Sequence, residues 1–294
     1  MKASRIFTSM ALLALGGIYS AIARAADNSP DNSSAKSYPV TTDVTWASEY
    51  IMDGFSIGGD HPVFQPSVRV GTPLTGVSLM FWSSLQVDRS NQQYDELDLM
   101  ARYSHDFVTS HGTSLNLHGY YDYWTYPKLN VSANVSPNVS GEGLGASAEA
   151  PSSMRGSKVN AGVSATNLIP LGGSFLVPSY NLYYWIYWAQ NSIDQWQGGA
   201  HHEFLLEYYH SIPKLFDGIQ HQYVGASGSI NYNDGAFGTQ SGWSHSTTSV
   251  STGVYALSCI FSLSLNRQWA FETANPNVDM KNELWTTLSL TKEF

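Results

Sequence analysis

Two short runs hold the densest chemistry in the chain. His201-His202-Glu203 brings two imidazoles and a carboxylate together, and Ser244-His245-Ser246 sets hydroxyls beside an imidazole. Neighbouring residues of a strand point to opposite faces, so His201 and Glu203 share a face while His202 turns away. That pair offers an ion two ligands where a metal site normally needs at least three. A Ser next to a His in sequence is also a poor nucleophile pair, because a triad is assembled in space with a carboxylate orienting the imidazole. Inward-facing polar residues in a hydrogen-bond network are the plainer reading. The expectation is no enzyme, no metal and no cofactor. A broader pattern says more. Glu49, Glu96, Asp98, Asp122, Glu203 and Glu207 fall on one face of their strands by parity, as do Arg69, Arg102, His118 and Lys158. If that face lines a lumen, carboxylates outnumber lysines and arginines there, and rings of Asp and Glu in a pore favour cations.

The elements that must position these groups are strands. Of the 294 residues only 13% are charged, with a net charge of −9, 18 Tyr, 9 Trp and one cysteine. An average soluble domain has about 25% charged residues. The lone Cys259 excludes a disulfide scaffold and cysteine-built zinc sites. The acidic balance without a basic cluster excludes nucleic acid as a partner. Residues 1–25 carry the three parts of a secretory signal peptide: Lys2 and Arg5, the apolar run Ile6 to Ala23, and the Ala23-Arg24-Ala25 cleavage motif. Residues 26–40 read as a flexible lead-in. No later apolar run approaches the ~18 residues of a spanning helix.

Residues 41–294 alternate instead. Val77, Leu79, Phe81, Leu85 and Val87 interleave with Ser78, Trp82, Ser84 and Gln86, and Leu97, Leu99, Ala101 and Tyr103 interleave with Glu96, Asp98 and Arg102. Repeated period-two alternation predicts an all-β, up-and-down antiparallel transmembrane barrel of about twelve strands. The predicted spans are 42–52, 63–71, 76–87, 94–105, 113–125, 158–167, 175–188, 200–211, 221–232, 246–256, 258–268 and 282–293. With the N-terminus in the periplasm, the outer loops are 53–62, 88–93, 126–157, 189–199, 233–245 and 269–281. The inner turns, 72–75, 106–112, 168–174, 212–220 and residue 257, are shorter in most cases, although 88–93 is short for an outer loop. A tight hairpin at residue 257 explains the flip of apolar phase from Ala256 to Cys259. The Ser-, Asn- and Gly-rich stretch 127–157 has almost no large apolar residues and reads as a long external loop.

Trp46, Tyr50, Tyr103, Tyr123, Tyr126, Tyr180, Trp188, Tyr208, Tyr209 and Trp269 sit near predicted strand ends and suit the aromatic girdles of such barrels. Trp82, Tyr120, Trp124 and Trp285 face inward by phase and narrow the lumen. Tyr183, Tyr184, Trp185, Tyr187 and Trp188 offer aromatics on both faces, which leaves a sugar-stacking platform as an alternative. In the last strand, Leu284, Leu288, Leu290 and the terminal Phe294 share one face. A final strand ending on an aromatic resembles the targeting signal of outer-membrane proteins, with Leu288, Leu290 and Phe294 as its recognition residues.

The chain also resembles the Gcw_chp family of proteobacterial outer-membrane proteins, whose function is unassigned. The residues that carry the resemblance are Ser48-Glu49-Tyr50-Ile51-Met52-Asp53-Gly54-Phe55-Ser56, Val63 to Thr72 feeding Gly76 to Asp88, the acidic alternation Tyr94 to Tyr103, the aromatic Tyr120-Tyr121-Asp122-Tyr123-Trp124-Thr125-Tyr126-Pro127, and the terminal strand. The family usually has Arg where this chain has Asp53. The resemblance implies a barrel and no particular substrate.

The expectation is therefore a narrow, porin-like passive channel for small polar solutes with cation preference, in the outer membrane of a Gram-negative bacterium. Its partners would be outer-membrane lipid and lipopolysaccharide, periplasmic chaperones, the barrel-assembly machinery and the solute. Two rivals remain: a closed structural or surface-binding barrel working through its outer loops, and a lipid hydrolase using His201, Glu203 or His245. The sequence fixes neither the solute nor the oligomeric state.

Overall fold

The computed structural model describes residues 38–110, 113–127, 154–166, 168–169, 171, 174–190, 193–195, 199–236, 241–271 and 281–294. The signal peptide, most of the lead-in and most of the 126–157 loop lie outside the described residues. Twelve strands build the wall. They are β1 Val40–Ala47, β2 Val63–Gly71, β3 Val77–Gln86, β4 Glu96–Val108, β5 Ser114–Tyr126 and β6 Met154–Thr166. The second half is β7 Ser174–Gln190, β8 Gly199–Ser211, β9 Ile219–Asp234, β10 Gly242–Ala256, β11 Cys259–Ala270 and β12 Glu283–Glu293. Each strand pairs antiparallel with its neighbours in sequence, and β1 pairs with β12 from Thr41↔Glu293 to Ala47↔Thr287. The sheet is a closed barrel, which leaves no edge. Among the described residues no helix is long and apolar enough to cross a membrane.

Alternation orients the wall. Along β8 the inward residues His201, Glu203, Leu205, Glu207 and Tyr209 are buried, while Phe204 and Leu206 are exposed on the outside. Leu79, Phe81, Leu85, Leu99, Val250, Leu263, Leu265, Leu288 and Leu290 continue that exposed apolar belt. Such a belt with a polar interior is what hydrocarbon outside and a lumen inside demand. The long and short connections sort to opposite ends as expected. At the short-turn end, Leu257 and Ser258 both adopt positive φ (54° and 58°) between the paired Ala256 and Cys259. That is the type I′ geometry of a two-residue hairpin, and it produces the phase flip.

One expected span is wrong at its end. Residues 48–52 do not continue β1, and 53–62 is not a free outer loop. The chain leaves the wall after Ala47, where Ser48 N–H donates to the Thr286 carbonyl (3.0 Å) and Ser48 Oγ accepts from Thr286 N–H (3.0 Å). It then forms a small hairpin, Ile51–Met52 against Phe55–Ser56, turning at Asp53-Gly54 with φ of 51° and 92°. This hairpin folds into the lumen. Tyr50 is consequently buried rather than part of a girdle, and Tyr126 and Tyr209 are inward and buried as well. Trp46, Tyr103 and Trp269 stay exposed on the outside.

Candidate functional site: the lumen

The inner hairpin spans the long-loop half of the barrel. On one side Ile51 packs on Trp285 of β12, and Gln268 Nε2 of β11 donates to the Gly54 carbonyl (3.1 Å). On the other side Met52 and Ile57 pack against Trp124, Tyr126, Trp185 and Ala236. Tyr50 meets Trp82 edge-to-face at 6.4 Å and donates its hydroxyl to Glu96, which also accepts from Tyr126 (2.7 Å). Asn91 Nδ2 donates to the Gly58 carbonyl (3.2 Å). Gly58 has φ of 80°, a left-handed conformation that favours glycine. Trp82, Trp124 and Trp285 point inward as expected. They serve as the bed on which the hairpin lies.

At the mouth, Glu49, Asp60 and Glu283 bring carboxylate oxygens within 4.8 Å of one another. Burial, followed by repulsion from Glu283 and Asp60, pushes the Glu49 carboxyl up to about 8, against a lowering hydrogen bond from Ser56 (2.7 Å). A proton on Glu49 thus relieves the crowding at neutral pH.

The six expected lumen carboxylates do not form a ring facing water. All six are buried. Glu49 and Glu96 are engaged by the hairpin. Asp98 stands in register between Trp82 and Trp124. Asp122 pairs with Lys158 (3.5 Å), whose ammonium also sits 4.9 Å from the Trp185 ring. Glu203 accepts from Asn181 (3.1 Å) and Tyr183 (3.2 Å), and Glu207 accepts from Tyr209 (2.8 Å). Asp53 at the hairpin tip lies within electrostatic range of Lys158.

The short-turn half differs. Inward-facing Arg69, Arg102, His118 and Tyr120 are only partly buried. Arg69 donates to Thr41 Oγ1 (3.1 Å). Among the described residues the Arg102 guanidinium meets Met80 Sδ (3.3 Å) and the Tyr120 ring (5.4 Å to its centre). His118 lies in a row with Gly162 and Asn181, and Asn181 pairs in turn with Glu203. A Cβ at Gly162 would sit 2.3 Å from both His118 Nε2 and Asn181 Oδ1, so that glycine opens the path between them. Asn181 gives its amide hydrogens to Glu203, and Asn116 gives its own to Asp106 (2.8 Å) and Ser104 (2.8 Å). Both amide oxygens therefore face the His118 ring, at 2.9 Å from Nδ1 and 2.9 Å from Nε2.

The two motif runs resolve into structure. His202 faces outward and contacts Tyr180 Oη (2.8 Å). His201 faces inward against Asn231 Oδ1 (2.9 Å). A register shift between Asn231 and Tyr232 leaves Ser244 unpaired in a bulge, so Ser244 and His245 both point inward, 3.0 Å apart. The bulge makes the contact that neighbouring strand residues ordinarily do not. Among the described residues no carboxylate orients His245, and Ser244 Oγ is committed to the Asn231 carbonyl (3.2 Å).

Sequence reasoning missed the inner hairpin as the main occupant of the lumen. The signal was present: Asp-Gly between Met52 and Phe55 is a two-residue hairpin turn. It also missed Asn116, Gly162 and Asn181, which no spacing marks.

No family model matches the chain, and no curated protein matches it. Among solved structures the chain is similar to the NanC porin, with 7% identity, a TM-score of 0.48, and coverage of 86% of this chain and 98% of that one. It is also similar to an outer membrane channel from Pseudomonas putida F1, with 10% identity, a TM-score of 0.44, and coverage of 91% of this chain and 100% of that one. A third is LpxR from Salmonella typhimurium, with 10% identity, a TM-score of 0.44, and coverage of 86% and 99%.

Proposed function

We propose that the chain is a narrow passive outer-membrane channel for small polar solutes, with the 48–62 segment as its constriction. The observation that carries this reading is the contrast inside one closed barrel: an outer half filled by the hairpin and an inner half whose inward polar groups Arg69, Arg102, His118 and Tyr120 are only partly buried. Twelve strands fall between eight, which side chains fill, and sixteen, which leave a wide channel. A folded-in segment is then what sets the bore. Lipid and lipopolysaccharide would contact the apolar belt, and chaperones and the assembly machinery would read Leu288, Leu290 and Phe294, all exposed on the outer face or at the terminus. Membership of the Gcw_chp-type family and export by a cleaved signal peptide belong to the same proposal.

The count of carboxylates favours cations, whereas exposure favours the arginines and hence anions. The reversal potential under a salt gradient decides between them. Conductance of the refolded chain without its leader tests the channel itself: discrete steps are expected, and their absence from folded protein would overturn it. The alternative of a closed structural barrel draws support from the depth of hairpin packing, and silent bilayers would favour it.

A further inference from the structure

We propose that Arg69 and Arg102 form an anion-binding site in the short-turn half of the lumen, taking a small solute that carries a carboxylate or phosphate group. The proposal rests on the channel reading and supplies its substrate class.

A charge removed from bulk water must be paired or hydrogen-bonded, and each cation here can be checked. Lys158 is satisfied by Asp122, with Asp53 and Asp98 in electrostatic range. The two arginines are not. Among the described residues neither has a carboxylate within ion-pair distance. They lie close enough to repel each other. The carboxylates that feel them are placed elsewhere: Asp122 is held by Lys158, and Glu293 stands at the exposed end of β12 within range of Arg69 only. Asp43, on the inward face of β1, is taken by Thr291 (2.8 Å) and Thr45 (3.0 Å).

The surroundings suit an oxyanion. Arg102 has a thioether and an aromatic face as neighbours, so most of its planar fork of N–H donors is unspent. Such a fork matches carboxylate and phosphate oxygens bidentately. Thr41 offers a hydroxyl beside the Arg69 guanidinium, and the Tyr120 ring lies under that of Arg102. His118 does not compete for the ligand, since both its ring nitrogens are engaged by Asn116 and Asn181. The relay ends in Asp106 on one side and Glu203 on the other, so its own carboxylates are engaged and leave the arginines free. Charge composition hides this outcome because the more numerous carboxylates are buried and engaged while the fewer arginines are only partly buried and lack an acidic partner among the described residues.

The test uses the refolded chain without its leader in detergent and in planar bilayers, beside R69Q/R102Q and R69K/R102K. Inorganic phosphate and succinate are titrated calorimetrically as separate arms, which distinguishes phosphate from carboxylate solutes. We expect saturable binding of at least one, a loss of roughly tenfold or more in the Gln variant, and partial retention in the Lys variant, which keeps charge but not the fork. In bilayers the wild-type reversal potential shifts toward chloride, and the Gln variant moves it toward potassium. Binding without conductance would overturn the channel and leave the site standing. Conductance with a potassium-shifted reversal potential, unchanged in the Gln variant and without binding of either probe, would overturn the site and leave the channel standing.

Discussion

The two halves of this lumen solve the same problem in opposite ways. In the long-loop half, Glu96 is closed off by two tyrosine hydroxyls and Asp122 by Lys158, and tryptophans from β3, β5 and β12 pack around a hairpin of the chain itself. In the short-turn half, Arg69 and Arg102 have no carboxylate partner among the described residues and are only partly buried. Both walls come from the same twelve strands with the same alternation. What differs is whether a second layer of protein covers the inward face. A charge count averages over both halves, whereas permeation is governed by the uncovered one.

Removing the covering layer is the strongest way to break the contrast. Replacing residues 50–57 by a short Gly-Ser linker is expected to raise single-channel conductance several-fold while β-sheet circular dichroism is retained. A smaller intervention is W285A, which removes the indole against which Ile51 rests. Large-to-small changes at packed aromatics cost about 3–5 kcal/mol, which denaturant unfolding measures, and here the loosened hairpin should also show as noisier current. Y50F deletes one hydroxyl donor to Glu96 and keeps the ring on Trp82. A hydrogen bond to a charged group is worth about 1.5–3 kcal/mol, so a modest destabilisation with unchanged ion selectivity is expected.

The mildest test is pH. The Glu49 carboxyl is raised by burial from its ordinary 4.5 to about 8. A raised carboxyl favours the folded hairpin fully below the unfolded value and loses that contribution as pH rises through the folded one. Conductance should therefore grow as pH rises through about 8, and E49Q, which is neutral throughout, should flatten that dependence. An unchanged pH profile in E49Q would remove Glu49 from the account.

Most of the wall was legible because lipid on one side and a lumen on the other impose period two on every strand. The hairpin at Leu257-Ser258 was readable from a phase flip alone. The inner hairpin was not read, because Thr42 to Met52 keeps alternating after the chain leaves the wall, and period two does not say which neighbour a strand pairs with. Asp53-Gly54 marks the turn but not the direction in which the hairpin falls. That direction follows from Trp285, Trp124 and Tyr126, brought close only by barrel closure. The parity of Glu96, Asp98, Asp122, Glu203 and Glu207 placed them inside correctly. Their burial depends on partners such as Tyr50, Lys158 and Asn181, which lie far away in sequence. Ser244 and His245 meet only because a bulge breaks the alternation that reading by parity assumes.

The central claim is that the inner hairpin sets the bore of this barrel. Single-channel conductance of the intact chain and of the variant with residues 50–57 replaced, recorded in the same salt and lipid, tests it most directly. Small steps in the intact protein and clearly larger ones in the variant are predicted. Equal conductances from two folded barrels would contradict the account.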